Sequence, residues 1–143
     1  MNYTFIDNFH KNRYLELIRI ARVPGYDLER QSLFYIISGN KDLYSKKNVI
    51  YDFYENAILS DCIISGEVDF CSSSKALIRL AYNLYNGYTD NYTNPLGLLC
   101  WLDTENFFLA YQAILIRLQN SVSCMALGCP ENMIMSENGK LAQ

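Results

Sequence analysis

The chain has 143 residues, half of them apolar and 19% charged, and twelve basic against fifteen acidic side chains leave a net charge of −3. A chain of this size buries roughly 68% of its unfolded surface, enough for one core without disulfide or metal support. The apolar content excludes wholesale disorder, and the weak negative charge argues against a protein that grips nucleic-acid phosphates.

A first helix is predicted over Asn8 to Arg22, capped by Asp7 and ended by Pro24-Gly25. Tyr14, Leu17, Ile18 and Ala21 share one face at helical spacing. Asp27 caps a second helix with Glu29 in its first turn, where the dipole favours an anion. Its apolar residues Leu33, Phe34, Ile36 and Ile37 lead to Gly39, read as the C′ residue. A third helix is expected over about Asn48 to Leu59, with Ile50, Phe53, Tyr54, Ala57 and Ile58 along one side. Period-two alternation is scarce, and Cys62 to Ser65 with Glu67 to Cys71 form at most a short hairpin.

Ser72 or Ser73 then caps a helix to about Asn86, stopped by Gly87, with Leu77, Leu80, Ala81, Leu84 and Tyr85 as its buried stripe. Pro95 opens a short apolar turn, and Asp103 caps the last strong helix. From Phe107 to Leu118 that helix is apolar on nearly every side, so it is placed at the centre. The expected fold is all-α. It is a compact, single-domain bundle of five to six helices around a central C-terminal helix, with at most a minor β-hairpin. Residues 1–120 form the helical domain, and 121–143 a tail that is either mobile or, through Met125, Leu127, Met133, Ile134 and Met135, docked or facing a partner.

No run is long and apolar enough for a membrane span, and the first residues lack the pattern of a signal peptide, so a cytoplasmic protein is expected. The five cysteines match no disulfide or zinc framework and are read as reduced, mostly buried thiols. His10, the only histidine, is read as solvated or capping. Ser72-Ser73-Ser74-Lys75 contains a Ser-x-x-Lys match, but the chain lacks the other segments that such a nucleophile needs. Asp52 and Glu55, three apart on the expected third helix, are neighbouring carboxylates that with Asp61 or Asp69 would suit a divalent ion. No cofactor and no metal are expected.

Two features favour recognition over catalysis. Tyr82, Tyr85, Tyr88 and Tyr92 alternate with four asparagines, a mixture typical of binding surfaces. Residues 48–74 carry Asp52, Glu55, Asp61, Glu67 and Asp69 with no lysine or arginine, whereas residues 1–47 are net +3. Such a run is either a face meeting a basic partner or one answered by the protein's own lysines.

The segments Leu33 to Tyr44, Ile50-Tyr51-Asp52-Phe53, Gly66 to Gly87 and Leu102 to Phe107 together resemble a family of small proteins of Gram-positive bacteria and their phages. The likeness spans roughly residues 8–119, and Cys71-Ser72-Ser73-Ser74 through Asn86-Gly87 is its most specific part. It carries no catalytic residues. What it implies is context, since phage genomes are rich in small proteins that disable a host machine. The leading expectation is a non-enzymatic protein that binds and inhibits a host protein, such as a CRISPR effector or another antiviral-defence component. Tyr85, Tyr88 and Tyr92 are its expected contacts, with Asp52, Glu55 and Asp69 as a second, electrostatic patch. A nucleotide-signal sequestering protein using Tyr stacking with Lys75 or Arg79, and a metal-dependent hydrolase on the acidic run, are the alternatives. Direct nucleic-acid binding ranks below these, and a homo-oligomer is compatible with all.

Overall fold

The computed structural model describes residues 3–119. The tail reading therefore lies outside the described residues. Helix α1 (Asn8–Ala21) starts where the Asp7 carboxylate accepts the His10 amide at 2.7 Å. It ends at Arg22, in the left-handed region at φ 53°. Asp27 caps α2 (Leu28–Gly39) in the same way through the Arg30 amide at 3.0 Å. Short helices α3 (Lys41–Ser45) and α4 (Lys47–Ile50) lead into a hairpin of β1 (Tyr51–Asp52) and β2 (Ala57–Ile58). Then come α5 (Asp61–Ile64), α6 (Ser72–Asn86), α7 (Pro95–Leu99) and α8 (Thr104–Arg117). Asp103 caps α8 through the Asn106 amide at 2.8 Å, and Gly87 at φ 81° stops α6. The fold is the mostly helical single domain, with one minor hairpin, that the periodicity predicts.

The centre is not where the apolar pattern put it. Helix α2 packs against α1, α6 and α8, and its residues from Gln31 to Ser38 are all buried. Helix α8 buries only Leu109, Ala110, Ala113 and Ile116, leaving Phe107, Tyr111 and Leu118 nearly half exposed. Polar letters disguise α2. The Ser32 and Ser38 hydroxyls donate to the Glu29 and Tyr35 carbonyls of their own helix, at 2.9 Å and 3.1 Å. Gln31 donates to the Pro24 and Gly25 carbonyls at 3.1 Å and 3.0 Å. A satisfied polar group is cheap to bury.

Gly39 is likewise not a C′ residue but the last residue of α2, held by close approach. A Cβ there would fall 2.2 Å from Leu109 Cδ2 and 3.0 Å from His10 Nε2. His10 itself is buried rather than solvated. Its Nδ1 accepts the Ile6 amide at 3.1 Å, so the proton sits on Nε2, which donates to the Tyr35 carbonyl at 3.0 Å. Phe5 and Tyr35 pack edge-on against the ring.

The helix expected over Asn48 to Leu59 is replaced by α4 and the hairpin. The Asp52 carboxylate accepts the amides of Tyr54 and Glu55, both at 2.9 Å, which offers the backbone a turn in place of a helix. Asn56 completes the reversal at φ 55°. Conversely, the stretch read as a weak hairpin from Cys62 holds α5 followed by irregular chain. Helix α6 is anchored beneath this excursion by Tyr82, whose buried hydroxyl donates to the Ile50 carbonyl at 2.7 Å and lies 3.0 Å from that of Leu59. Among the described residues no helix is long and apolar enough to cross a membrane.

Candidate functional site

The acidic segment becomes an excursion, residues 51–71, anchored in the core by Tyr51, Cys62 and Phe70 and packed on α2 and α6 through Phe34 and Tyr82. Its five carboxylates form no ion pair among the described residues. The ion pairs among the described residues are Asp27–Arg30 at 2.6 Å, Asp42–Lys46 at 2.8 Å, Asp90–Arg79 at 2.8 Å and a looser Glu29–Arg117 at 3.7 Å. None involves Asp52, Glu55, Asp61, Glu67 or Asp69. Lys46 reaches the backbone carbonyl of Asp69, not its carboxylate, and Lys47 sits over the Tyr44 ring at 4.4 Å. Glu55, Asp61, Glu67 and Asp69 are all exposed. Uncompensated charge of one sign on one excursion biases encounter toward a basic surface.

Asp52 and Glu55 are not neighbours on a helix face, as the sequence suggested. Asp52 is half-buried in β1, spent on the turn, and Glu55 lies exposed in the loop. Among the described residues no three His, Cys, Asp or Glu side chains are grouped to hold a metal ion.

The three expected tyrosines separate into two environments. Tyr85, on the last turn of α6, donates to the Asn56 carbonyl at 3.1 Å and packs edge-on against Tyr51. It thus touches the loop end of the acidic hairpin. Tyr85 also lines an open groove of about 540 Å³ with Tyr26, Asp27, Glu29, Arg30 and Asn86. Arg30 is committed within it, donating to Asp27, to the Ala21 carbonyl at 3.0 Å and to Asn56 Oδ1 at 3.2 Å. Two aromatic rings that the Tyr/Asn pattern missed are exposed: Tyr26, which lines this groove, is 86% exposed, and Tyr54, in the hairpin loop, is 90% exposed. Tyr26 is a lone tyrosine in a turn, with little signal in the sequence, whereas Tyr54 was expected on the apolar side of the third helix and is instead turned to solvent by the hairpin.

Tyr88 and Tyr92 belong to a second cluster. The Tyr88 ring packs edge-on against Tyr82, and its hydroxyl donates to Asp90 Oδ2 at 3.3 Å. Burial and then the Asp90 charge raise its pKa. Arg79 bridges Asp90 and the exposed Tyr92 ring, its guanidinium 4.7 Å from the ring centre. Burial alone would raise the Asp90 pKa, but the Arg79 bond and the Tyr92 amide outweigh it, so the carboxyl is held low. With its charge satisfied, Arg79 offers little to a phosphate.

The thiols also depart from expectation: Cys62 is buried, but Cys71 and Cys100 are exposed. Cys71, not a serine, is the N-cap residue of α6. The Ser73 hydroxyl, 3.2 Å from its sulfur, and the Ser74 amide bring its pKa down to about 7, and the Ser74 hydroxyl lies 3.4 Å from the same sulfur. The Ser74 hydroxyl donates onward to Asp42 Oδ2 at 3.1 Å. Burial instead pushes Cys62 up. Iodoacetamide at pH 7 should therefore label Cys71 at least ~10-fold faster than Cys62, read by peptide mass spectrometry, and Ser73→Ala should slow it. Equal rates would contradict the thiolate at α6. The signal was available in the sequence, as a cysteine directly before a run of helix-opening serines.

Comparison with family models matches residues 1–126 to a family of unknown function (DUF6075), and the chain belongs to that family. The match runs beyond the 8–119 stretch that carries the resemblance. Searches of curated proteins and of solved structures find no match.

Proposed function

We propose that this member of the family is a non-catalytic binding protein, of phage or prophage type, that occupies a basic surface of a host protein and blocks it. The observation that carries the reading is the uncompensated acidic excursion, tipped by the exposed Tyr54 and continuous through Asn56 with Tyr85 and its groove. Aromatic anchors beside unsatisfied charge supply both halves of an interface: contact area and steering. A component of antiviral defence, such as a CRISPR effector, is the host target that the phage context favours. The lone histidine supports a non-enzymatic role. It is buried and holds two backbone groups, so it serves no reacting atom.

Affinity capture from a Gram-positive host tests this. The wild-type chain should retain one stoichiometric partner, with affinity falling as salt rises. The double substitution Glu55→Lys/Asp69→Lys should weaken binding about 10-fold, mainly in the on-rate, whereas Glu105→Lys, at an exposed carboxylate of α8, should not. Expression should also restore phage plating on defended cells. The proposal fails if no stoichiometric partner is retained and plating is unchanged.

A further inference from the structure

Helix α1 turns a basic, partly apolar face outward. Between Asn8 and Arg22 the chain has Lys11, Arg13, Arg19 and Arg22 against the single carboxylate Glu16. The ion pairs among the described residues include none of these four cations. Glu16 accepts the Tyr44 hydroxyl, and Arg13 donates to the uncharged Ser38 carbonyl at 3.3 Å, which leaves its charge unanswered. Phe9, Asn12, Arg13, Leu15, Glu16 and Arg19 line an open groove of about 480 Å³ along this face. Phe9 and Leu15 are 70% and 49% exposed, so the groove combines apolar walls with a cationic rim.

We propose that this face binds the acidic excursion of a second copy of the chain, with Tyr54 entering the groove. Charge complementarity selects that occupant. The five carboxylates of the excursion form no ion pair among the described residues, and the cations of α1 are in the same condition. Each surface lacks in its own chain what the other supplies, and opposite potentials both steer encounter and fix register. The apolar parts match as well. Tyr54 is 90% exposed in the hairpin loop, directly before the exposed Glu55, and Ile64 is 67% exposed between the exposed Asp61 and Glu67. A tyrosine ring set between Phe9 and Leu15 gains contact area at small entropic cost, and Glu55, next to it in the chain, is then carried to the cationic rim. The contact uses the same excursion that meets the proposed host protein, so the two partners exclude each other. It does not depend on that host, and the purified chain alone tests it.

Analytical ultracentrifugation of the full-length chain at about 100 μM and low salt should give a mass above that of the monomer. The dissociation constant should rise at least ~10-fold when salt is raised to about 0.5 M. Lys11→Glu/Arg19→Glu and Glu55→Lys/Asp69→Lys should each sediment as monomers with unchanged circular dichroism, because both variants set like charges against each other at exposed positions. An equimolar mixture of the two variants should associate again, since each then meets an opposite surface. Tyr54→Ser should weaken association about 10-fold with both charge sets intact. The α1 variant keeps its excursion and should still retain the host partner, and self-association with this charge pattern supports the contact whether or not a host partner is captured. Four outcomes overturn the proposal: a wild-type chain that is monomeric at this concentration, self-association that survives both charge reversals, a mixture of the variants that stays monomeric, or a monomer that binds phosphatidylglycerol vesicles through Lys11 and Arg19 instead.

Discussion

Lowering the pH from 8 to 4 should cost this protein about 3 kcal/mol of folding stability through His10 alone. Burial lowers its pKa from the ordinary 6.5 to about 4, against the smaller raising effects of the Tyr35 carbonyl bond and Asp7. The folded state holds the imidazole neutral because Nδ1 must accept the Ile6 amide and cannot do so when protonated. Between about pH 4 and 6.5 the unfolded chain therefore binds a proton that the folded chain refuses, and stability rises with pH across that window. The contribution is complete above the unfolded value of 6.5 and is lost as pH falls toward 4. A typical domain has only about 5–15 kcal/mol in total, so the loss is substantial. Urea melts at pH 7.5, 5.5 and 4.5 should show it, and His10→Gln should flatten the slope in this range. A wild-type stability unchanged between pH 7.5 and 4.5 would mean that the imidazole is not held neutral. The acid response of Asp90, whose pKa is held below its ordinary value, belongs to lower pH and leaves this window to the histidine.

Gly39→Ala is expected to destabilise the fold by about 1–2 kcal/mol, although it replaces the poorest ordinary helix former with the best. Two effects compete. Removing glycine's backbone freedom favours the variant by roughly 0.5–1 kcal/mol. Against this, the new methyl lies 2.2 Å from Leu109 Cδ2, and Leu109 is fully buried, so its side chain has no free space to move into. Overpacking of a closed core costs about 1–3 kcal/mol, which wins. His10 Nε2, 3.0 Å from the same methyl, adds to the cost because moving it strains the bond to the Tyr35 carbonyl. Thermal melts of wild type and variant measure the net effect. A Leu109→Ala change in the Gly39→Ala background should cost less than Leu109→Ala alone, since the cavity and the methyl compensate. An unchanged or raised melting temperature for Gly39→Ala would show that α8 can shift outward at no cost.

Both effects arise where α1, α2 and α8 meet, and none of the side chains involved belongs to the acidic excursion. Scaffold and proposed interface thus occupy different parts of the molecule. Substitutions at Glu55, Asp69 or Tyr54 can alter binding with little effect on stability, because these side chains are exposed and make no ion pair among the described residues.

Local chemistry determined the helices at residue level. Asp7, Asp27 and Asp103 cap where their carboxylates meet an amide three residues on, and Gly87 stops α6 in the left-handed region. These signals act within one turn, so they are readable without knowing the partner elements. The segregation of charge was equally plain, as was the helical class. Tertiary structure decided what depends on distant residues. Serines and a glutamine that bond to nearby carbonyls made α2 the centre although its letters look polar, and α8 kept an apolar outer face. Asp52 turned a helical pattern into a hairpin by capturing two amides, which split one expected carboxylate pair and carried Tyr54 and Glu55 to a tip beside Tyr85. Whether a charge is answered or left open depends on which cations the packing brings near. Here it took Lys46 to Asp42 and to a carbonyl, leaving the acidic excursion without a counterion among the described residues.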